Sequence, residues 1–112
     1  MLTNKDYCDQ GTIDALFEIG IAQWRVGYDL FQQKNTLSLY EAQQWLRDVK
    51  NVVIAILPCS YNCVTETWTW SYEIWMGDNY EIERNYLQSY EEALLEGIKE
   101  AIKILKEVSN GN

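Results

Sequence analysis

The sequence predicts an α+β protein of two layers, a small antiparallel sheet packed by helices in the order α-(β)-α-β-β-α. Three observations predict it. From Trp68 to Met76, the residues Trp68, Trp70, Tyr72, Ile74 and Met76 alternate with Thr69, Ser71, Glu73 and Trp75, the period of two of a half-buried strand. From Ser89 to Val108 the period becomes helical, with Leu94, Ile98, Ala101, Leu105 and Val108 on one side. The 112 residues, 47% of them hydrophobic, suffice for one core and hence a single α+β domain, 1–112.

Taken in order, Thr12 is placed to cap a short helix carrying Ile13, Leu16 and Phe17 on one face, with Asp14 in its first turn. Gly20 ends that helix in the left-handed conformation, and Ile21 supplies the apolar residue just beyond. From Trp24 to Leu30, Trp24, Val26, Tyr28 and Leu30 alternate with Arg25, Gly27 and Asp29, a pattern that suits a short edge strand or an extended loop. Gln32 to Thr36 is polar and reads as a connection. Ser38 and Glu41 form a capping box for a second helix, whose buried face is Leu39, Ala42, Trp45, Leu46 and Val49, with Asn51 at its end.

A strand follows from Val52 to Leu57, ended by Pro58. Both of its faces are apolar, so it should be covered on both sides or lie centrally in its sheet. The loop from Cys59 to Glu66 then joins it to the aromatic strand as an antiparallel hairpin. Gly77-Asp78-Asn79 signals a turn, and Tyr80, Ile82 and Arg84 alternate with Glu81 and Glu83 as a possible third strand. Ser89 and Glu92 make a second capping box, and Ser109 to Asn112 should fray. Two strands alone are rarely stable, so either these added segments or a second copy of the chain completes the sheet. The apolar second face of Val52 to Leu57 favours a homo-oligomer.

Seventeen acidic and nine basic residues leave a net charge of −8, which repels a phosphate backbone unless the bases cluster. Arg25, Lys34, Arg47, Lys50 and Arg84 are scattered, so no general nucleic-acid binding is expected. Residues Met1 to Gln10 hold no apolar signal segment, and the longest apolar run, Val52 to Pro58, is too short for a membrane span. The expectation is a soluble protein with no membrane partner. Cys8, Cys59 and Cys63 are an odd number with no disulfide framework, consistent with a cytoplasmic, reducing setting.

Several matches gather between Thr36 and Leu105: Thr36-Leu37, Ala42, Trp45-Leu46-Arg47, Asn51, Tyr72-Glu73-Ile74, Ser89-Tyr90-Glu91-Glu92-Ala93, Ile98-Lys99 and Leu105. With Leu16-Phe17-Glu18-Ile19-Gly20 before them, they make the chain resemble a family of small uncharacterised proteins from phages and prophages of gut Bacteroidales. The segment from Ile21 to Asn35 departs from that pattern. The resemblance implies an origin on a mobile element, where short accessory proteins often act on host defence, inside the host cytoplasm. It supplies no catalytic or ligand-binding residue.

Catalytic equipment is missing from the sequence. There is no histidine, the usual general base near neutral pH, so a cysteine nucleophile would have no imidazole to activate it. Cys59 and Cys63 are half of a zinc pattern at most, better read with Cys8 as small, partly buried apolar residues. Glu66 and Glu73 fall on opposite faces of a continuous strand, so they do not make an acid–base pair, and the dispersed glycines form no phosphate loop. We therefore expect no enzyme, no metal and no cofactor. Binding has more to work with: Trp75 beside Glu73 on the polar face of its strand, and Trp24 beside Arg25, could stack a planar ligand. Arg25, Arg47, Lys50 and Arg84 are the candidate phosphate contacts. The sequence thus points to a non-enzymatic phage or prophage accessory protein that holds a nucleotide signal or occupies a host defence protein. An acidic mimic of nucleic acid and a structural or assembly protein are the alternatives.

Overall fold

The fold is α+β, as its periodicities predict. In the computed structural model, residues 2–77 and 79–110 are described, apart from the side chains of 79–85 and 109–110. Helix α1 spans Gln10–Glu18, α2 Leu39–Val49 and α3 Tyr90–Asn110. Strands β3 (Val52–Asn62), β4 (Thr67–Met76) and β5 (Asn79–Leu87) form an antiparallel sheet in the order β3-β4-β5. Strands β1 (Gly27–Asp29) and β2 (Lys34–Thr36) make a separate two-stranded hairpin. The order is therefore α-β-β-α-β-β-β-α, and the chain itself supplies the third strand of the sheet.

Each helix begins on a side chain that accepts from its first turn. For α1 that side chain is Asp9, which accepts from the Thr12 N–H at 2.7 Å. This corrects the expected Thr12 cap: Thr12 lies inside the first turn and is buried. Gly20 has φ +108°, and the N–H groups of Gly20 and Ile21 return to the carbonyls of Phe17 and Leu16, the paired bonds of a glycine-stopped helix. Ser38 and Ser89 cap α2 and α3 through the N–H groups of Glu41 and Glu92, each at 3.1 Å. Helix α3 continues to Asn110 where fraying was expected, and Gly111 and Asn112 lie outside the described residues.

The faces of the two long helices differ from their expected edges. Leu39, Ala42, Trp45 and Leu46 of α2 are buried, whereas Val49 is exposed. On α3, Ala93, Leu94, Ile98, Ala101 and Ile102 are buried, Leu105 is partly so, and Val108 is exposed. Val49 and Val108 sit in the last turns, past the end of the surface they would cover. Burial of Leu94 and Ile98 stabilises by about 1.5–3 kcal/mol each relative to exposure.

The sheet departs further from expectation. The first strand does not stop at Pro58 but runs on to Asn62, with its register shifting between Pro58 and Ser60. A proline is tolerated here because β3 is an edge strand and the pairing bulges at Cys59. The expected loop shrinks to the turn at 63–66; Cys59 lies within β3, and Cys63 is exposed, not partly buried. Strand β5 fulfils the possible third strand, although Asp78 of the preceding turn lies outside the described residues. Val52, Ile54, Tyr72 and Ile74 join α2 and α3 in one buried cluster. Val53 and Leu57 are exposed, so β3 is neither central nor covered on both sides.

Gly97 brings α3 close to the sheet: a Cβ there would stand 2.8 Å from Ile54 Cγ2 and 3.3 Å from the Tyr72 ring. Beyond the helices the β3–β4 hairpin carries Tyr61 against Trp68, ring centroids 4.9 Å apart. Trp70 meets Tyr90 edge to face at 5.6 Å. At the other end, the Asp6 carboxylate accepts from the Thr3 N–H at 2.8 Å and from the Tyr40 hydroxyl at 2.7 Å, tying the first residues to α2.

Candidate functional site

The segment between α1 and α2, residues 19–38, carries a hairpin of three residue pairs, too few to own a core face. Gln23–Arg25 is a 3-10 turn, and only Gly27–Asp29 of the alternating stretch is strand. Gly27 stands opposite Thr36, whose hydroxyl lies 2.8 Å from where a Cβ would be. Glycine is thus what allows close pairing, and the residues expected as a connection supply the partner strand, Lys34–Thr36. Of the alternating set only Val26 is buried; Trp24, Tyr28 and Leu30 are exposed.

The hairpin tip is ordered by its own side chains. Asp29 Oδ1 accepts from the N–H groups of Phe31 at 2.9 Å and Gln32 at 3.1 Å, and Gln33 turns the chain with φ 51°. This turn presents Leu30 at 79% exposure and Phe31 at 101%. The base of the hairpin is held by Gln10 Nε2, which donates to the Asn35 carbonyl at 2.7 Å, and by the Cys8 N–H on the Leu37 carbonyl at 2.8 Å.

Trp24, 79% exposed, carries the Arg25 guanidinium 4.8 Å from its ring centroid. The two border a cleft of about 280 Å3 with Glu41, Gln44 and Trp45 of α2. The buried Trp45 ring also meets Lys50, whose ammonium lies 5.8 Å from its centroid. Trp24, Arg25 and Lys50 therefore gather about Trp45. Arg47 is occupied with its neighbour Asp48 at 3.2 Å. Trp75 stands apart on the sheet face turned away from the helices, its indole N–H donating to Glu73 Oε2 at 3.0 Å. Arg84 belongs to β5, and its side chain lies outside the described residues. The six candidate ligand contacts thus do not converge on one pocket among the described residues.

A broader groove of about 820 Å3 runs between the first residues, the β1–β2 hairpin and the start of α3. Lys5 and Lys34 face Asp9, Asp29, Glu91 and Glu92 there, and Lys5 is paired to Glu91 at 2.9 Å. Such a lining repels an anion. Near it Cys8 is buried, with its thiol pushed up to about 12 by that burial, so it stays protonated at neutral pH. Tyr40 is likewise raised to about 12, first by its hydrogen bond to Asp6. Neither group is poised as a nucleophile or base near neutrality. Among the described residues, no three of His, Cys, Asp and Glu are grouped to hold a metal ion, and no helix is long and apolar enough to cross a membrane.

The residues that composition and alternation did not single out are Phe31 and its display with Leu30. The available signal was an apolar pair set between Asp29, a turn-forming acceptor, and the polar Gln32-Gln33-Lys34. Compared with family models, with curated proteins and with solved structures, the chain matches none of them.

Proposed function

We propose that this protein acts by binding another protein, and that Leu30 and Phe31 at the β1–β2 tip are the anchor it seats in an apolar pocket of that partner. The observation carrying this reading is an adjacent pair of exposed apolar side chains on a turn already held by Asp29. A pre-ordered turn loses little freedom on binding, and an aromatic side chain enclosed by a partner is a frequent source of affinity. Trp24 with its stacked Arg25 adds a second exposed ring in the same segment.

The nucleotide-holding version has less support. Trp75 is on the far side of the sheet from Arg25 and Lys50, and Glu41 would confront a phosphate in the cleft beside Trp24. That cleft, at about 280 Å3, is also smaller than most ligand pockets, which span about 300–1,000 Å3. Nucleic-acid mimicry needs an unbroken acidic stripe, whereas Lys5, Lys99 and Lys106 reach to Glu91, Asp9 and Glu18. The biological setting we propose, a phage or prophage accessory protein aimed at a host defence protein, rests on the family resemblance. A virion assembly role would instead place the chain in purified particles.

The test is capture from a Bacteroidales host lysate by the tagged chain and by its Phe31→Ala, Leu30→Ala and Glu96→Lys variants, with mass spectrometry of what is held. One host protein should be retained by the parent and Glu96→Lys, and its affinity should fall about thirtyfold in Phe31→Ala, the scale of a 2 kcal/mol hot spot. Equal retention by Phe31→Ala overturns the reading. Titration heat with a cyclic or linear nucleotide, abolished by Trp24→Ala, would replace it with the nucleotide version.

A further inference from the structure

We infer that the open face of the β3-β4-β5 sheet is where a second copy of this chain packs, sheet against sheet, to make a dimer of four layers, α-β-β-α. This does not rest on the partner-binding reading, because the β1–β2 tip is no part of the face. The molecule measures 44 × 41 × 19 Å, a shortest dimension near that of one helix layer on one sheet, and among the described residues the helices lie on one side of that sheet. Val53, Leu57 and Trp75 are exposed there at 43%, 37% and 40%, and Ala55 is half-buried between them. The register pairs Val53 with Trp75, Ala55 with Glu73 and Leu57 with Ser71, which sets these six on one face, Ser71 being buried already within the protomer.

Charge selects the occupant. A chain of net charge −8 opposes its own copy wherever its acids are displayed. Strand β3 has no charged residue and β4 has only Glu73, so these two strands bring one carboxylate per copy to the face and oppose a second copy little. Glu73 accepts the Trp75 indole N–H at 3.0 Å within one protomer, so covering the pair leaves that donor satisfied. A face whose exposed apolar side chains are Val53, Leu57 and Trp75 also meets the one demand of a two-fold interface, that a surface fit itself. Sheets packed this way interdigitate at about 10 Å.

Size and edge geometry agree. Strands of β3's length reach about 36 Å, and three of them at about 4.8 Å spacing give a footprint near 500 Å2 before side-chain relief and flanking residues are added. A standard interface takes about 800 Å2 from each partner, so the face is of the right order. Edge-to-edge pairing through β3 is opposed by Pro58, by the register shift beside it, and by Gln43 of α2, whose Nε2 donates to the Ile54 carbonyl at 2.8 Å. The β3 edge is thus closed to a copy, while the face beside it is not.

Sedimentation equilibrium of the purified chain across a dilution series tests this, alongside Val53→Glu, Leu57→Glu and Glu96→Lys. The parent and Glu96→Lys should sediment at twice the monomer mass of 13.2 kDa. Val53→Glu and Leu57→Glu should sediment as monomers with unchanged far-ultraviolet circular dichroism. If either fails to fold, Val53→Thr, which keeps the β-branched shape, should weaken dimerisation by at least tenfold. A parent that stays monomeric throughout overturns the inference, whether or not the face then proves to hold a foreign protein. A dimer unaffected by the folded variants overturns it as well. Loss of the dimer with host-protein capture intact, or the reverse, separates this inference from the proposed function.

Discussion

Gly97 sits in the middle of α3, where glycine costs about 1 kcal/mol relative to alanine in a helix. What holds it there is the approach of Ile54 and Tyr72, which leaves no room for a methyl group. We expect Gly97→Ala to lower stability by about 1–3 kcal/mol despite its better propensity, as overpacking does. A urea midpoint equal to or above the parent's would contradict so tight a contact. Asp6 is a second residue whose role is electrostatic. Hydrogen bonds from Thr3 and then Tyr40 hold its carboxyl below the ordinary carboxylate range. With the folded value depressed, its contribution is complete above the unfolded value of about 3.9 and is lost as pH falls through the folded one. Asp6→Asn should therefore be less stable than the parent at neutral pH, with the difference closing below about pH 4 as the parent's carboxyl takes up its proton. Thermal melts at the two pH values check it, and a constant difference would argue against the charge.

At the scale of elements, the helices were legible because their signals are local. Ser38, Ser89 and Gly20 act within one turn of themselves, and the buried stripe of α3 repeats within its own segment. The strands were read less well because their neighbours decide them. Gly27 counts against a strand until Thr36 is seen opposite it, and Pro58 ends a strand only if that strand is internal. Helix α2 completes the edge of β3 through Gln43, a contact with no local signature. Gln43→Ala should cost about 0.5–1.5 kcal/mol and quicken amide exchange along β3, read by hydrogen–deuterium exchange. Unchanged exchange there would mean that Gln43 adds nothing to the edge.

For the whole molecule, charge is unevenly spread over the described surface. Acids and lysines pair across helices, as in Lys99 with Asp9 and Lys106 with Glu18, while the open sheet face carries Glu73 alone on β3 and β4. The exposed aromatic side chains are spread over several surfaces, with Tyr61 and Trp68 at the far end of the β3–β4 hairpin. Trp75 belongs to the flat face, and Trp24 and Phe31 belong to the hairpin side. A flat face suits a copy of itself and a projecting tip suits a pocket, so two such chains joined by their sheets would offer two tips to a partner. That arrangement raises avidity when both tips engage, without any new contact.

The α+β class, the caps of α2 and α3, the aromatic strand and the place of Trp75 on that strand's polar face follow from the order of residues, because periodicity and capping act over a few positions. The place of β3 at the edge, the pairing of Gly27 with Thr36, and the separation of Trp75 from Arg25 and Lys50 were decided by tertiary structure. Each depends on residues distant in the chain meeting, and the free energy that selects those meetings lies in the shared core and not in any single segment.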